Sequence, residues 1–299
     1  NMEIAFNTYS LRKEWGILTM GGSYEPVAEY IKLMDGVEKI EMLDRTFKSD
    51  PDELTKAQET FEQHGMEIFS LGPHVCPLQG KSKRPDVVEE LNHWTDIAAD
   101  HGIHNYRLSL GGGKNYDKKM MLIPIKPKNN AQAVEWTAEV LKPALEYAAD
   151  RDVSLCIETH HRYSSNPDYQ EKLLDSLPYE NLGFIYDIGN YENDTLRWNS
   201  LDVLTEHKAI KYMHAKTYAF DEKGFETTLD YPRAIKQMKD AGIDINLSIE
   251  WEGKIPAPVG ILKTYELCKY SIAKAEGNEY EMKKDFPDAD SIMDGILED

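Results

Sequence analysis

The chain has 299 residues, and 34 lysines and arginines against 53 aspartates and glutamates give it a formal net charge of −19. A surface this acidic repels phosphate backbones, so we expect no nucleic-acid partner. No apolar run approaches the roughly 20 residues that a membrane helix requires, so we expect no membrane partner. The three cysteines form no CxxC pair, which favours a reducing, cytoplasmic setting over a disulfide framework.

Short apolar runs alternate with longer amphipathic segments along nearly the whole chain. Helix-stop glycines precede several of these runs, for example Gly65 before MEIFSL and Gly242 before IDINLSIEW. The eight predicted strands span residues 3–9, 37–43, 66–71, 105–110, 153–160, 182–187, 210–216 and 245–252. Eight strand-then-helix units in a chain of this length predict an α/β fold, a single (β/α)8 TIM barrel.

A doubly wound open sheet is the alternative fold, and it normally carries a glycine-rich phosphate turn after its first strand. Here the first strand ends in NTYSLR, so we prefer the barrel. The longest loop, residues 111–129, contains three consecutive glycines but lacks the GK[ST] ending of a P-loop, so we interpret it as a mobile flap over the barrel mouth. We predict that residues 1–276 form the barrel and residues 277–299 a short acidic C-terminal extension.

Metal-ligating residue types stand at the ends of the last four predicted strands. Catalytic groups of a TIM barrel come from the C-terminal ends of several strands. Here these ends carry Glu158 in SLCIETHH, Asp187 in FIYDIGN, His214 in KYMHAKTY and Glu250 in NLSIEWEG. Their separations of roughly 30 residues match one strand–helix unit each. Consecutive strands would therefore bring the four side chains around one axis.

Three converging carboxylates repel one another, and a bound divalent cation removes that repulsion. Three oxygen ligands with one imidazole suit Mn²⁺ or Mg²⁺, with Co²⁺ or Zn²⁺ as alternatives, while the absence of a thiolate argues against a structural zinc. By period-two alternation, the residues two positions before the ligands also point inward and fill the core below them: Cys156, Ile185, Tyr212 and Ser248.

The sequence resembles the xylose isomerase-like TIM-barrel superfamily, specifically its sugar phosphate isomerase/epimerase branch, the AP endonuclease family 2 group. The resemblance covers nearly the whole chain and rests on NTYSLR, on Glu41 in VEKIEML, on D-x-G-N at 187–190 and on H-x-K at 214–216. In that family a Glu, an Asp, a His and a Glu from the last four strands bind one divalent metal. The resemblance implies this role for Glu158, Asp187, His214 and Glu250, and it makes Glu158 and Glu250 the catalytic acid–base pair.

The resemblance implies a divalent-metal-dependent sugar isomerase or epimerase that acts through an enediolate on a ketose, a polyol-derived ketone or a sugar phosphate. If the enediolate instead expels a β-substituent, the same site is a lyase, like the inosose dehydratases and C-glycoside-cleaving enzymes of the superfamily. A non-catalytic sugar-binding subunit is the remote alternative. The choice of base and the oligomeric state stay open, with a homo-oligomer as one alternative.

Five further residues are candidate substrate contacts, each with packing or a salt bridge as the alternative role: His160, Lys216, Asn190, His74 and Trp15. Asn190 departs from the ketose 3-epimerase pattern, which usually has a histidine there, and Phe220 stands where those enzymes have an arginine. Both departures weaken a tagatose- or psicose-type assignment. Asn190 also removes a ligand that the three-metal DNA-repair endonucleases of this fold need.

Overall fold

The computed structural model describes residues 1–110, 115–116, 124–160 and 162–298. Among these residues, eight parallel strands close a barrel in chain order, and the last strand pairs with the first. The strands are β1 (Glu3–Asn7), β2 (Lys39–Leu43), β3 (Glu67–Gly72), β4 (Asn105–Leu108), β5 (Ser154–Glu158), β6 (Leu182–Asp187), β7 (Ile210–Thr217) and β8 (Asn246–Trp251). The closed parallel barrel confirms the predicted TIM-barrel class.

Helices follow the strands along the chain. They are α1 (Trp15–Leu18), α2 (Glu25–Ile31), α3 (Asp44–Phe47), α4 (Pro51–Gln63), α5 (Arg84–Asp100), α6 (Asn130–Ala149), α7 (Pro167–Ser176), α8 (Asp194–Glu206), α9 (Tyr231–Asp240), α10 (Ala257–Ala275) and α11 (Ala289–Leu297). Over the residues described, none of them combines the length and the apolar character that crossing a membrane requires. Two short strands, Asn115–Tyr116 and Pro124–Ile125, pair antiparallel, and residues 111–114 and 117–123 of the predicted flap lie outside the described residues.

Local sequence signals explain where several helices begin and end. The side chain of Asp50 accepts a hydrogen bond from the Asp52 amide at 2.9 Å, and Pro51 opens α4 without losing an intrahelical bond. Asn129 caps α6 in the same way through the Gln132 amide. Gly65 follows α4 with a φ of 73°, a left-handed conformation that glycine adopts at low cost.

The chain forms two compact units, and the first comprises residues 1–69 and 212–299. In this unit β1 pairs with β2 and β8, and Ser248 of β8 lies in register with His214 of β7. Helix α10 packs against α9 and β8. The segment after α10 is held by Glu266, which accepts hydrogen bonds from the Tyr280 hydroxyl at 2.9 Å and from the Lys283 amide at 2.7 Å. The boundary of the predicted extension at residue 277 stays a prediction.

The second unit comprises residues 70–211. Its strands β4, β5 and β6 pair in parallel, with Arg107 opposite Cys156 and Glu158 opposite Ile185. Helix α6 packs between its neighbours α5 and α7 in the sequence. Glu158 is the last residue of β5, and it lies beside β6.

Several strands end earlier than the sequence predicts. The prediction runs β1 to Tyr9, but the strand ends at Asn7, whose side chain accepts a hydrogen bond from the Tyr9 amide at 2.9 Å and starts a 3-10 turn over Thr8–Leu11. Likewise β5 ends at Glu158 rather than at His160. Glu158 and Asp187 are therefore the last residues of β5 and β6, where a barrel presents side chains to its mouth.

We expect Gly260→Ala to destabilise the fold by about 1–3 kcal/mol, the usual cost of overpacking. A β-carbon at Gly260 in α10 would lie 2.4 Å from Cε2 of the Trp251 ring, which is 2% exposed. Urea unfolding of the wild type and of Gly260→Ala measures the change in the free energy of unfolding. Gly295→Ala in α11 is the matched control, because nothing lies within 4 Å of its β-carbon. Equal unfolding free energies for the two variants would contradict this packing.

Candidate metal centre

Four buried side chains form one group with metal-ligating chemistry. Each offers one ligand atom, and these atoms all lie within 4.8 Å of one another; the residues are Glu158, Asp187, His214 and Glu250. None of the four is more than 6% exposed. The structure thus brings together the four residues that the sequence predicts as ligands, and a buried group of this kind could bind a metal ion.

The charges around this group favour a divalent cation. In the described part of the chain, the buried carboxylates that form or contact the group outnumber the buried cations beside them: Glu41, Glu158, Asp187 and Glu250 against Arg107 and Lys216. With His214 neutral, these four carboxylates and two cations sum to two negative charges. Buried charge is stable only when it is paired or bound to a metal, so the donor set fits a hard divalent ion with oxygen and imidazole ligands.

Glu158 is held by two donors. The Nδ2 of Asn190 donates to Oε1 at 3.1 Å, and the Nε of Arg107 donates to Oε2. Arg107 lies within β4, is 9% exposed, and also donates from Nη1 to the carbonyl of Pro73 at 3.1 Å. A charge-assisted bond on one oxygen and an amide on the other fix the orientation of the Glu158 carboxylate.

Asp187 is fixed by the turn that follows β6. Its Oδ1 accepts a hydrogen bond from the Gly189 amide at 2.9 Å, and its own amide donates to Thr159 Oγ1 at 2.9 Å. Thr159 comes directly after Glu158, so this second bond ties the ends of β5 and β6 together. The sequence DIGN therefore supplies both the carboxylate and the backbone that aims it.

His214 lies against a buried glutamate on another strand. Its Nε2 is 2.8 Å from both carboxylate oxygens of Glu41 on β2, and its Nδ1 is 2.8 Å from Oε2 of Glu250. The hydroxyl of Tyr212 and the Oγ of Ser248 also donate to Glu41, at 2.8 and 2.9 Å. The sequence predicts Tyr212 and Ser248 as core residues, and they are buried there with this additional polar role.

Lys216 is a buried cation, 2% exposed, whose Nζ lies 3.8 Å from Oε1 of Glu250 and 3.6 Å from Oε1 of Glu252. The structure therefore shows the salt bridge to Glu252 and places the same ammonium beside the four-residue group. Burial, together with the charge of Glu252, raises the pKa of the nearby Tyr9 above its ordinary value.

The remaining candidate substrate contacts occupy separate places. The Nε1 of Trp15 donates to the carbonyl of Thr46 at 3.1 Å. His74 is exposed after β3, and His160 is half-buried with its amide donating to Ser164 Oγ at 2.8 Å. Substrate binding by these residues and by Asn190 stays a prediction.

The thiol of Cys76, in the loop after β3, is a poor candidate for a catalytic nucleophile. Burial raises the pKa of the Cys76 thiol to about 11. At neutral pH that thiol is protonated and a poor nucleophile, since the thiolate is the reactive form.

Sequence interpretation missed the roles of Arg107 and Glu41. Arg107 carries a detectable signal, because it is a charged residue between Tyr106 and Leu108 in a strand, one strand before Glu158. Glu41 gives a similar signal in KIEML. A charged residue flanked by apolar residues in a barrel strand requires a buried partner.

The barrel has counterparts among known proteins. A family model described as "Xylose isomerase-like TIM barrel" matches residues 29–269. The chain belongs to this family.

A curated relative, the C-glycoside deglycosidase alpha subunit of Arthrobacter globiformis, is 38% identical over 69 residues, which are 23% of this chain and 19% of the relative. The match thus spans about a fifth of that relative's length.

Two solved structures are similar over nearly their whole length. A sugar phosphate isomerase/epimerase from Parabacteroides distasonis has a TM-score of 0.65 at 16% identity, covering 91% of this chain and 94% of its own. The mannonate dehydratase of Streptococcus suis serotype 2 has a TM-score of 0.66 at 15% identity, covering 96% of this chain and all of its own. At these identities the likeness shows the fold alone.

We expect Glu158→Gln and Asp187→Asn each to raise the dissociation constant for Mn²⁺ at least about 10-fold, because each removes a charged oxygen ligand. Titration calorimetry, with the paramagnetic resonance signal of unbound Mn²⁺ as a second readout, measures the affinity. Glu266→Gln, which changes a buried glutamate that holds the chain after α10, is the control and should bind normally. Normal metal occupancy in both ligand variants would contradict the site assignment.

Proposed function

We propose that the chain is a divalent-metal-dependent sugar isomerase or epimerase that acts through an enediolate. The buried four-residue group supports this proposal, because three carboxylates and an imidazole within 4.8 Å of one another suit one hard divalent cation. Mn²⁺ or Mg²⁺ is the proposed ion. The proposed substrate is a ketose, a polyol-derived ketone or a sugar phosphate.

The proposed mechanism divides the work between the cation and the side chains. When bound, the cation polarises a substrate carbonyl and stabilises the negative charge that develops on its oxygen. One of Glu158 and Glu250 removes the proton on the carbon next to the carbonyl. The other returns a proton to the opposite face of that carbon, which gives an epimer, or to the neighbouring carbon, which gives an isomer.

Several contacts of the chain support this division. The two donors on Glu158 fix its carboxylate before substrate binds. This lowers the entropy cost of orienting the carboxylate for proton transfer. The Lys216 ammonium, already beside Glu250, is suited to a developing oxyanion. His160, Asn190, His74 and Trp15 remain the proposed contacts for hydroxyl groups and the sugar ring.

A metal-dependent lyase is the second candidate, and the match to the C-glycoside deglycosidase alpha subunit favours it. In this reaction the same glutamate removes the proton next to the carbonyl. The electrons of that C–H bond form a double bond as the β-substituent departs with the electrons of its own bond, and the second glutamate protonates the departing group. Asn190, where ketose 3-epimerases usually have a histidine, is compatible with this branch.

The setting of the protein is also part of the proposal. A small sugar or sugar derivative is the proposed partner, and the net charge of −19 argues against a nucleic acid. The cysteine pattern supports a cytoplasmic location. A non-catalytic sugar-binding subunit is the alternative that an activity assay excludes.

We expect the Mn²⁺-loaded protein to incorporate deuterium from D₂O at the carbon next to the carbonyl of at least one substrate in a panel of ketoses, inososes and glycosides. Glu158→Gln and Glu250→Gln should each slow this exchange by roughly 10²–10⁴-fold, the usual contribution of a general acid or base. Mass spectrometry and NMR measure the exchange.

The same assay separates the candidates. Exchange with release of an enone or an aglycone identifies the lyase, and exchange without release identifies the isomerase or epimerase. Glu226→Gln, a buried glutamate that binds backbone amides of its own loop, is the control and should retain exchange. If the metal-loaded protein shows no exchange and no release across the whole panel, that result would contradict an enzymatic role.

A further inference from the structure

Glu41 is a buried acid that takes no part in the proposed ligand set. It lies in β2, is 2% exposed, and is paired in the sheet with Asn7 of β1. Its carboxylate accepts hydrogen bonds from Tyr212 and Ser248, and both of its oxygens lie 2.8 Å from Nε2 of His214. A barrel strand normally fills such a position with an apolar residue, so an acid here points to a specific role.

The contacts of His214 indicate which ring nitrogen would carry the proton once the ion is bound. An ionised carboxylate only accepts hydrogen bonds, so a ring nitrogen between two carboxylate oxygens at 2.8 Å must be the donor. Nδ1 lies 2.8 Å from Oε2 of Glu250, another candidate ligand, so a proton or a cation must lie between these two atoms. With the ion bound there, the neutral imidazole would carry its proton on Nε2 and would offer the lone pair of Nδ1 to the ion.

Two neighbouring side chains hold Glu41 in this position. Tyr212 precedes His214 by two residues in β7, so both side chains leave the strand on the same face. Ser248 lies in register with His214 across the β7–β8 pair. Three donors on two adjacent strands thus converge on one carboxylate, which orients it and satisfies its oxygens.

We propose that Glu41 is a positioning residue of the metal centre, which accepts the Nε2 proton of His214 and so fixes the tautomer and ring orientation in which Nδ1 binds the ion. The inference rests on the metal centre proposed above. A carboxylate behind a ligating imidazole raises the basicity of the ligand nitrogen and prevents the ring from turning. Glu41 acts through His214 and touches neither ion nor substrate.

The test is direct measurement of metal affinity and of the histidine tautomer. Glu41→Leu should raise the dissociation constant for Mn²⁺ about 10–100-fold, the range for partners of metal-bound histidines. Glu41→Gln keeps an acceptor for Nε2 but loses the charge, so its affinity should fall between those of Glu41→Leu and the wild type. Nitrogen-15 NMR of the Zn²⁺-loaded wild type should show His214 protonated on Nε2, and Glu41→Leu should lose that single form.

Tyr212→Phe is the matched control, because it removes one donor from Glu41 and leaves the contact between Glu41 and His214 in place. Its affinity should stay closer to the wild type than that of Glu41→Leu. Circular dichroism verifies folding, and if Glu41→Leu does not fold, Glu41→Gln decides. Wild-type affinity in the folded Glu41 variants, with unchanged NMR, would overturn the role of Glu41 alone. A wild type that binds no divalent ion would overturn this inference together with the proposed metal centre.

Discussion

The buried carboxylates of the candidate metal centre are stable only if their negative charge is compensated, and the other features of the site depend on this constraint. Two like charges about 4 Å apart repel by about 4 kcal/mol at an effective dielectric constant of about 20, so a cluster of carboxylates is unstable without partners. The structure gives each carboxylate its own partner: Arg107 and Asn190 for Glu158, the Gly189 amide for Asp187, Lys216 for Glu250, and three side-chain donors for Glu41. The remaining negative charge explains why a divalent cation fits.

The barrel strands and the turns after them place the hydrogen-bond donors beside the carboxylates. Residues two apart in β7 leave the strand on one face, so Tyr212 and His214 both reach Glu41. The turns directly after β5 and β6 add Thr159 and Gly189, which hold Asp187 by hydrogen bonds at 2.9 Å. The orientation of the candidate ligands therefore depends on the hydrogen bonds behind them.

Sequence periodicity was sufficient for the fold and for the four candidate ligands. Apolar runs with period two, separated by amphipathic helices, identify the strands, and residues such as Glu158 and Asp187 stand out at the strand ends. Sequence periodicity could not predict the hydrogen bonds that hold the candidate ligands in place. Glu41 and His214 are separated by 173 residues, and only the folded barrel shows that they meet. Strand β1 ends two residues earlier than its sequence predicts, because the side chain of Asn7 accepts a hydrogen bond from the Tyr9 amide and turns the chain.

The most direct test of the central claim, that four strand-end residues form one metal site, is anomalous diffraction from crystals grown with Mn²⁺. We expect a single strong peak contacted by carboxylate oxygens of Glu158, Asp187 and Glu250 and by Nδ1 of His214. A crystal without a peak at these residues, or with Mn²⁺ bound only elsewhere, would contradict the claim.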